Sequence, residues 1–269
     1  MNHLIKHGLL VTACSIGVGL SQSSVAADTI APVAATATID WSKLQLSVTG
    51  VNDTVPTVTF SGQNTSLSSY ASSPGQYEND SKSINNWTDT KDATADAGTT
   101  FANALASTLN FSGEANAMQS SSASSSGSRT ERFTFDGPGV LTVTVPYTIS
   151  LNGETSNYCY YCYNYDHASV SGSASFNSYV GNGDSSTYSN SSFSLHNYYG
   201  TPHSQSQSGT LVFGIFASGA GNGSLNVNFD LSTHSPVNSV PEPESYAMLL
   251  AGLGLMGAMV RRRGNNRNT

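Results

Sequence analysis

The chain has few charged side chains, and very few of them are basic. Charged residues make up 10% of its 269 residues. Between residues 28 and 239 there are 5 lysines and arginines against 15 aspartates and glutamates, a net charge of −10. Nucleic acids and anionic lipid surfaces bind clustered basic side chains, so this composition excludes both as partners of that region. Three of the basic residues instead stand together at 261–263.

Cysteine is also scarce, with three in the chain. Cys14 lies in an apolar stretch near the N-terminus, which leaves Cys159 and Cys162. Two cysteines exclude a multi-disulfide scaffold and a four-cysteine zinc site. The sequence also lacks a Gly-x-Ser-x-Gly elbow, a phosphate loop, a dinucleotide fingerprint and an EF-hand loop. We therefore expect no enzymatic activity, no catalytic residue, no cofactor and no bound metal.

The N-terminus has the pattern of an export signal. Lys6 and His7 precede the apolar stretch 9–20, and the small residues of 25–27 follow it. This order is typical of a signal peptide that signal peptidase removes. The pattern predicts a signal peptide over residues 1–27 and an extracytoplasmic domain over residues 28–239.

The C-terminus has three parts in a fixed order. Pro241-Glu242-Pro243 is followed by an apolar run at 246–260 and then by Arg261, Arg262 and Arg263. Fifteen helical residues span about 22 Å, short of a hydrocarbon core of about 30 Å, although long arginine stems extend the reach. Basic residues after a span stay in the cytoplasm. The pattern predicts a single transmembrane helix over 246–260, with the body on the opposite side.

Residues 240–269 resemble the PEP-CTERM sorting signal of Gram-negative bacteria, on the strength of Pro241-Glu242-Pro243, the apolar run and the arginine cluster. The resemblance implies recognition by an exosortase, a membrane-embedded transpeptidase-like cysteine protease. It implies that the inner membrane holds the precursor transiently, and that the body is then transferred to the cell surface or extracellular matrix. The body itself resembles no specific enzyme family.

The body shows period-two alternation separated by glycine, asparagine and proline turns, which is typical of β-strands. About nine or ten strands of this kind predict a mainly β fold, an antiparallel β-sandwich or jelly roll. Residues 181–184 and 219–223 are predicted hairpin turns, and Pro146 predicts a bend or an edge position. The clearest predicted strands are 35–40, 44–48, 57–60, 132–135, 140–151, 168–179, 185–195, 209–217 and 224–231.

Three segments depart from this pattern. Phe101, Leu105 and Leu109 recur at four-residue intervals, which favours a short helix over 93–109 rather than an Ala-rich strand pair. The polar stretch 61–92 predicts a long surface excursion. Residues 119–128 contain seven serines and predict either a flexible loop or a polar edge strand.

Cys159 and Cys162 lie within a tyrosine-rich segment. In an exported protein, an isolated cysteine pair is most simply a disulfide, and the two ends of a tight turn are close enough to form one. A zinc half-site is the alternative, with His167 nearby and His196, His203 and His234 also available, and a redox-active pair is a further one. Zinc normally needs four ligands, which favours the disulfide.

The tyrosines of the same segment could form a stacking surface for sugar rings, since each offers an apolar face and a hydroxyl. The alternative is that they pack on neighbouring strands or simply coat the surface. The tyrosines concerned are Tyr158, Tyr160, Tyr161, Tyr163 and Tyr165.

We expect a structural protein of the cell surface or exopolysaccharide matrix. The alternative is a carbohydrate-binding module that uses these tyrosines. A secreted hydrolase, which would need two positioned carboxylates, is a weaker alternative.

Overall fold

The structure is a computed structural model that describes residues 32–118, 120–153, 166–179, 185–197, 204–235, 250–253 and 256. Two antiparallel sheets pack face to face around one main hydrophobic core. Along most strands, buried and more exposed residues alternate, because successive side chains point to opposite faces of a sheet. The predicted mainly β sandwich is confirmed.

One sheet has seven strands and the other six. The seven-stranded sheet has the order β12-β9-β1-β7-β6-β5, with β2 also paired to β9, and the six-stranded sheet has the order β11-β10-β13-β8-β3-β4. The strands are β1 Val33–Asp40, β2 Gln45–Gly50, β3 Val58–Ser73, β4 Gln76–Ile84, β5 Lys91–Ala97, β6 Thr100–Ala106, β7 Asn110–Ala117, β8 Ser122–Phe135, β9 Gly139–Asn152, β10 Asp166–Ser178, β11 Ser185–Asn197, β12 Ser204–Ala217 and β13 Gly221–His234.

Pro146 lies in the interior strand β9, at the point where the pairing of β9 passes from β1 to β2. β1 pairs with β9 as far as Tyr147, and β2 resumes the pairing at Thr144. Between β1 and β2 the chain makes a 3₁₀ turn, Trp41–Lys43. Neither strand therefore pairs with Pro146, which suits a residue that has no N–H to donate to a ladder.

The predicted helix over 93–109 is wrong, and the alternative of an Ala-rich strand pair is correct. Residues 93–97 and 102–106 belong to the hairpin β5–β6, which turns at Gly98 with φ +73°. The alanines of both strands alternate with more exposed residues and are buried. The four-residue spacing of Phe101, Leu105 and Leu109 also fits a strand, because residues four apart lie on the same face of one.

Two polar segments also form strands. Residues 61–92 contain most of β3, all of β4 and the start of β5 rather than a surface excursion. Residues 122–128 of the serine-rich run form the first half of β8, an interior strand between β13 and β3, so this part is neither a loop nor an edge strand. Its serines at 122, 124, 126 and 128 lie on the outer face, whereas Ser125 faces inward and donates to the carbonyl of Asn103.

The two predicted hairpin turns have different outcomes. Residues 181–184 lie outside the described residues, but the flanking strands β10 and β11 pair in register from Ser178 and Ser185. Residues 219–223 do not make a hairpin turn, because they lead from β12 in one sheet to β13 in the other.

Side chains cap backbone groups at both open sides of the sandwich. On one side, Asp80 and Glu78 of β4 accept backbone N–H groups of the edge strand β5, at 3.3 and 2.8 Å. On the other, Ser189 of β11 accepts the N–H of Gly214 in the edge strand β12, at 3.3 Å. Exposed edge strands pair with other chains, so these caps protect the fold from edge-to-edge association.

Candidate functional site

A β-bulge interrupts the pairing of β3 with β8. The register shifts between Ser61 and Asn64, so that Gly62 and Gln63 together lie opposite Glu131. Gly62 has φ +66°, a left-handed conformation that glycine adopts without steric cost. A glycine in this conformation at the first bulge position bends the strand and re-aims the next side chain. The bulge therefore places Gln63 against Glu131.

The Gln63 amide holds Glu131 in a fixed position. Gln63 Nε2 donates to Glu131 Oε1 at 2.9 Å, while Gln63 Oε1 accepts the backbone N–H of Trp87 at 3.3 Å. Glu131 is 4% exposed. Burial raises the pKa of its carboxyl group, and the hydrogen bond from Gln63 acts in the opposite direction. A buried carboxyl is thus held from one side by a neutral amide.

A cluster of two tryptophan rings and one guanidinium group supports this arrangement from inside the core. The rings of Trp41 and Trp87 meet edge to face at 5.0 Å, and the guanidinium of Arg129 lies 4.5 Å from the centre of the Trp41 ring. Arg129 Nη2 donates to the carbonyls of Ser107 and Trp87, at 2.9 and 3.3 Å. Burial lowers the pKa of Arg129 to about 10, so it stays charged at neutral pH.

The bulge borders a cleft of about 770 Å³. This volume is within the usual range of small-molecule sites, roughly 300–1,000 Å³. Its lining combines amides, hydroxyls, one guanidinium and one carboxylate among the described residues, with a phenyl ring at one side. The residues that line it include Phe60, Gln63, Asn64, Asn85, Glu131 and Arg132.

Sequence reasoning missed this cleft. The segment around Gly62 was expected to be a surface loop, so a bulge in a strand was not considered. Two signals were available: a glycine within a polar strand marks a bulge, and Arg129, Glu131 and Arg132 are charged residues clustered in an otherwise neutral run.

A second polar cluster lies at the opposite end of the six-stranded sheet. His167 and His196 are cross-strand neighbours on β10 and β11, with ring centroids 6.1 Å apart. His167 Nε2 lies 2.8 Å from Asp230 Oδ2 on β13. The structure thus brings together two of the histidines considered as zinc ligands. Within the described residues, no group of three or more histidine, cysteine or acidic side chains has the arrangement of a metal site; His203 lies outside them.

The same end of the sheet holds the point where the chain leaves the body. Asp166 Oδ1 accepts the backbone N–H of His234 at 2.7 Å, and the N–H of Ser235 donates to the carbonyl of Ser121 at 2.9 Å. Burial raises the pKa of Asp166 to about 6. Burial lowers the pKa of His234, and the nearby His167 lowers it further. These bonds fix the end of β13 to the sandwich.

The residues predicted from the sequence as sites lie outside the described residues. They are Tyr158, Cys159, Tyr160, Tyr161, Cys162, Tyr163 and Tyr165 of the tyrosine segment, and Pro241, Glu242, Pro243, Arg261, Arg262 and Arg263 of the C-terminal signal. The disulfide, the glycan contact and the roles of the individual signal residues therefore stay predictions.

Part of the predicted transmembrane segment is described. Residues 250–253 and 256 are helical. Nowhere in the described part of the chain is a helix both long and apolar enough to cross a membrane. The membrane span over 246–260 stays a prediction.

Comparison with known proteins bears on the C-terminal end alone. Residues 239–263 match the PEP-CTERM protein-sorting motif. No curated protein and no solved structure matches the chain. PEP-CTERM signals are processed by an exosortase, which makes this enzyme a partner of the chain. The chain is therefore an exported, membrane-processed protein that carries a PEP-CTERM protein-sorting motif at its C-terminal end.

Proposed function

We propose that this chain is a non-enzymatic structural protein of the cell surface or extracellular matrix. An exosortase would release it from an inner-membrane anchor, and the mature body would be retained in the exopolysaccharide layer. The observation that carries the proposal is the sorting motif at residues 239–263. Because the motif acts in transport, the role of the mature protein must come from the sandwich.

The outer face of the six-stranded sheet supports this role. On β10 and β13 the outward positions alternate with the buried ones and carry mainly serine and asparagine, as in 169–177 and 222–228. Some of these side chains bond across the strands, as Ser175 and Ser224 do at 2.9 Å. A neutral face of hydroxyls and amides can lie within a hydrated polysaccharide layer without charge repulsion.

The junction between the body and the motif supports processing close to a folded domain. The body is held through Ser235, whose backbone N–H is bonded to Ser121. Five residues, 236–240, then precede Pro241. They can span at most about 18 Å when fully extended. The exosortase would therefore act beside the end of the sandwich that carries Asp166 and His234.

The sorting step can be tested by mutating the motif in the full-length chain. In cells that contain an exosortase, Glu242→Gln or deletion of 261–263 should leave uncleaved precursor in the membrane fraction, because both changes alter the motif. The control is Glu244→Gln, which removes the same charge just outside Pro-Glu-Pro. The measurement is the ratio of precursor to mature protein by immunoblot. Normal processing of both motif variants would rule out the proposed sorting route.

The matrix role needs a separate test. Mature protein retained in the exopolysaccharide layer should be released when that layer is degraded enzymatically, and should remain with the cells before degradation. Mature protein found free in the medium without degradation would contradict retention and leave only secretion. Fractionation of the wild-type strain distinguishes the two outcomes.

A further inference from the structure

The cleft at the β3 bulge has the features of a built binding site rather than a surface irregularity. The carboxyl of Glu131 is buried and yet lines the cleft. Its Oε1 is bonded to Gln63, whose own amide oxygen is fixed by the backbone of Trp87. A polar group held in this way loses little conformational entropy when a ligand binds, which is the basis of preorganisation.

The amides around the carboxyl are also positioned by the protein. Asn64 Nδ2 donates to Asn85 Oδ1 at 3.3 Å, and the carbonyl of Asn64 accepts the indole N–H of Trp87 at 3.3 Å. The next residue of this connection, Asn86, accepts backbone N–H groups of Thr88 and Asp89 through its side chain. The connection between β4 and β5 is therefore held to the bulge, with Asn85 at the border of the cleft.

The lining chemistry indicates a ligand rich in hydroxyl groups. A hydroxyl both donates and accepts hydrogen bonds, and so does an amide side chain. Glu131 can accept hydrogen bonds from the hydroxyls of such a ligand and Arg132 can donate to them, while Phe60 offers an apolar edge. Sugar rings combine hydroxyls with apolar C–H surface, so one saccharide unit can use all of these groups.

The charges around the cleft favour a neutral saccharide. Glu131 and Arg132 both line the cleft and carry opposite charges, so neither a free cation nor an anion meets a lining of one sign. A calcium ion would need six to eight oxygen ligands, whereas the described lining offers a single carboxylate and also carries a guanidinium. The body carries a net charge of −10, which opposes the approach of polyanions.

We propose that the bulge cleft binds a neutral saccharide unit, with Glu131 and the amides of Gln63 and Asn85 as its main hydrogen-bonding groups. This site is separate from the tyrosine segment 158–165 and from the sorting motif. It does not depend on the proposed structural role, because it concerns what the folded body binds and not where the body is retained.

The test uses the full-length chain purified in detergent. The probes are soluble neutral oligosaccharides of glucose, galactose, mannose and N-acetylglucosamine, with oligogalacturonate and calcium chloride as charged probes, measured by isothermal titration calorimetry. At least one neutral oligosaccharide should bind, with an affinity that does not change with salt. Glu131→Gln should weaken that binding about tenfold, because a hydrogen bond to a charged group contributes more than one to its neutral counterpart.

Matched variants make the result specific. Glu114→Gln makes the same change at an exposed position of β7 in the other sheet and should leave binding unchanged. Asn85→Ala, in the connection after β4, should weaken binding without removing a buried side chain, and thermal unfolding confirms that each variant is folded. A triple variant with alanine at Tyr160, Tyr161 and Tyr163 should bind normally.

Three results would overturn the assignment. The first is that none of the neutral oligosaccharides binds. The second is that binding occurs but is unaffected by Glu131→Gln and Asn85→Ala, or is lost only in the tyrosine variant, which would place the site on the tyrosine segment. The third is that only calcium or oligogalacturonate binds.

Discussion

Glu131 and Asp166 are both inward-facing carboxyl groups of the six-stranded sheet, and burial raises the pKa of both. They differ in what donates to them. Glu131 is held by the side-chain amide of Gln63 beside an open cleft, whereas Asp166 is held by the backbone N–H of His234 where the chain leaves the sandwich. A buried carboxyl group thus borders a cleft in one place, and in the other it accepts a backbone hydrogen bond that fixes the last residue of β13.

The difference comes from the backbone around each carboxyl. At Glu131, the extra residue of the bulge opens the pairing of β3 and β8 and brings in a side chain as donor. At Asp166, no bulge occurs, and the first residue of β10 reaches a backbone donor on the neighbouring strand β13. A buried carboxyl is thus by itself no sign of a binding site, and the deciding feature is whether the backbone leaves space beside it.

The largest expected effect is on stability and concerns Arg129, which supports the arrangement around Glu131 from inside the core. Arg129→Ala should lower the free energy of unfolding by about 3 kcal/mol or more, because it leaves a cavity beside Trp41 and removes the donor to the carbonyls of Trp87 and Ser107. Arg129→Met should cost less, since it fills most of the space and removes a buried charge. Guanidinium unfolding followed by tryptophan fluorescence measures this directly, because Trp41 and Trp87 are the only two tryptophans. Equal stability of wild type and Arg129→Ala would contradict a supporting role.

The next effect concerns the other carboxyl and depends on pH. The pKa of Asp166 is about 6 in the fold against an ordinary value of 3.8. Between these values the folded state binds more protons than the unfolded state, so this group's contribution to stability is complete below about pH 4 and is lost as the pH rises through 6. The loss is up to about 3 kcal/mol.

Asp166→Asn should remove that loss while keeping Oδ1 as the acceptor for His234. The variant should therefore be more stable than wild type at pH 8, and the two should converge near pH 4. His234 acts in the opposite direction, since its pKa is lowered, and its Nδ1 lies 3.8 Å from Asp166 Oδ1. The difference between the urea midpoints of the two proteins across pH therefore reports Asp166 together with its influence on His234. Parallel pH curves would show that Asp166 is not the group responsible.

The smallest effect concerns the bulge itself. Gly62→Ala should cost about 1 kcal/mol, because a non-glycine residue at φ +66° is strained by about 1–2 kcal/mol while its unfolded chain loses some entropy. Gly75→Ala is the matched control: Gly75 has φ +81° and open space around it, in the turn between β3 and β4. Both variants should lose similar stability in thermal melts, and only Gly62→Ala should weaken oligosaccharide binding. Equal binding by both would show that the bulge does not shape the cleft.

The long alternating strands were predictable because their signal is local. In 140–151, leucine and valine alternate with threonine, and the structure buries one set and leaves the other more exposed. The alanine hairpin was predicted less well. Alanine is small and apolar and has a high helix propensity, so a spacing of four fits a helix as well as a strand.

Most of β3 and all of β4 could not be recognised from their composition, and the first half of β8 was predicted only as one of two alternatives, as an edge strand rather than an interior one. Serine at an inward position looks the same in the sequence as serine in a loop, and its burial depends on a partner such as the Asn103 carbonyl that Ser125 reaches. The same limit applied to the candidate site. Gln63 and Glu131 are 68 residues apart, and their contact exists only because the strand register brings β3 beside β8.

The sequence by itself determined the sorting of this protein and its fold class. A sorting signal is read as a linear segment, and strand periodicity is a property of consecutive residues, so both are visible without tertiary structure. The tertiary structure alone decided which polar residues face inward, which sheet each strand joins and which buried carboxyl borders open space. Those outcomes depend on pairing between strands that are distant in the sequence. They also depend on the bulge, where Gly62 and Gln63 of β3 lie opposite one residue of β8, shift the register locally and open the cleft beside Glu131.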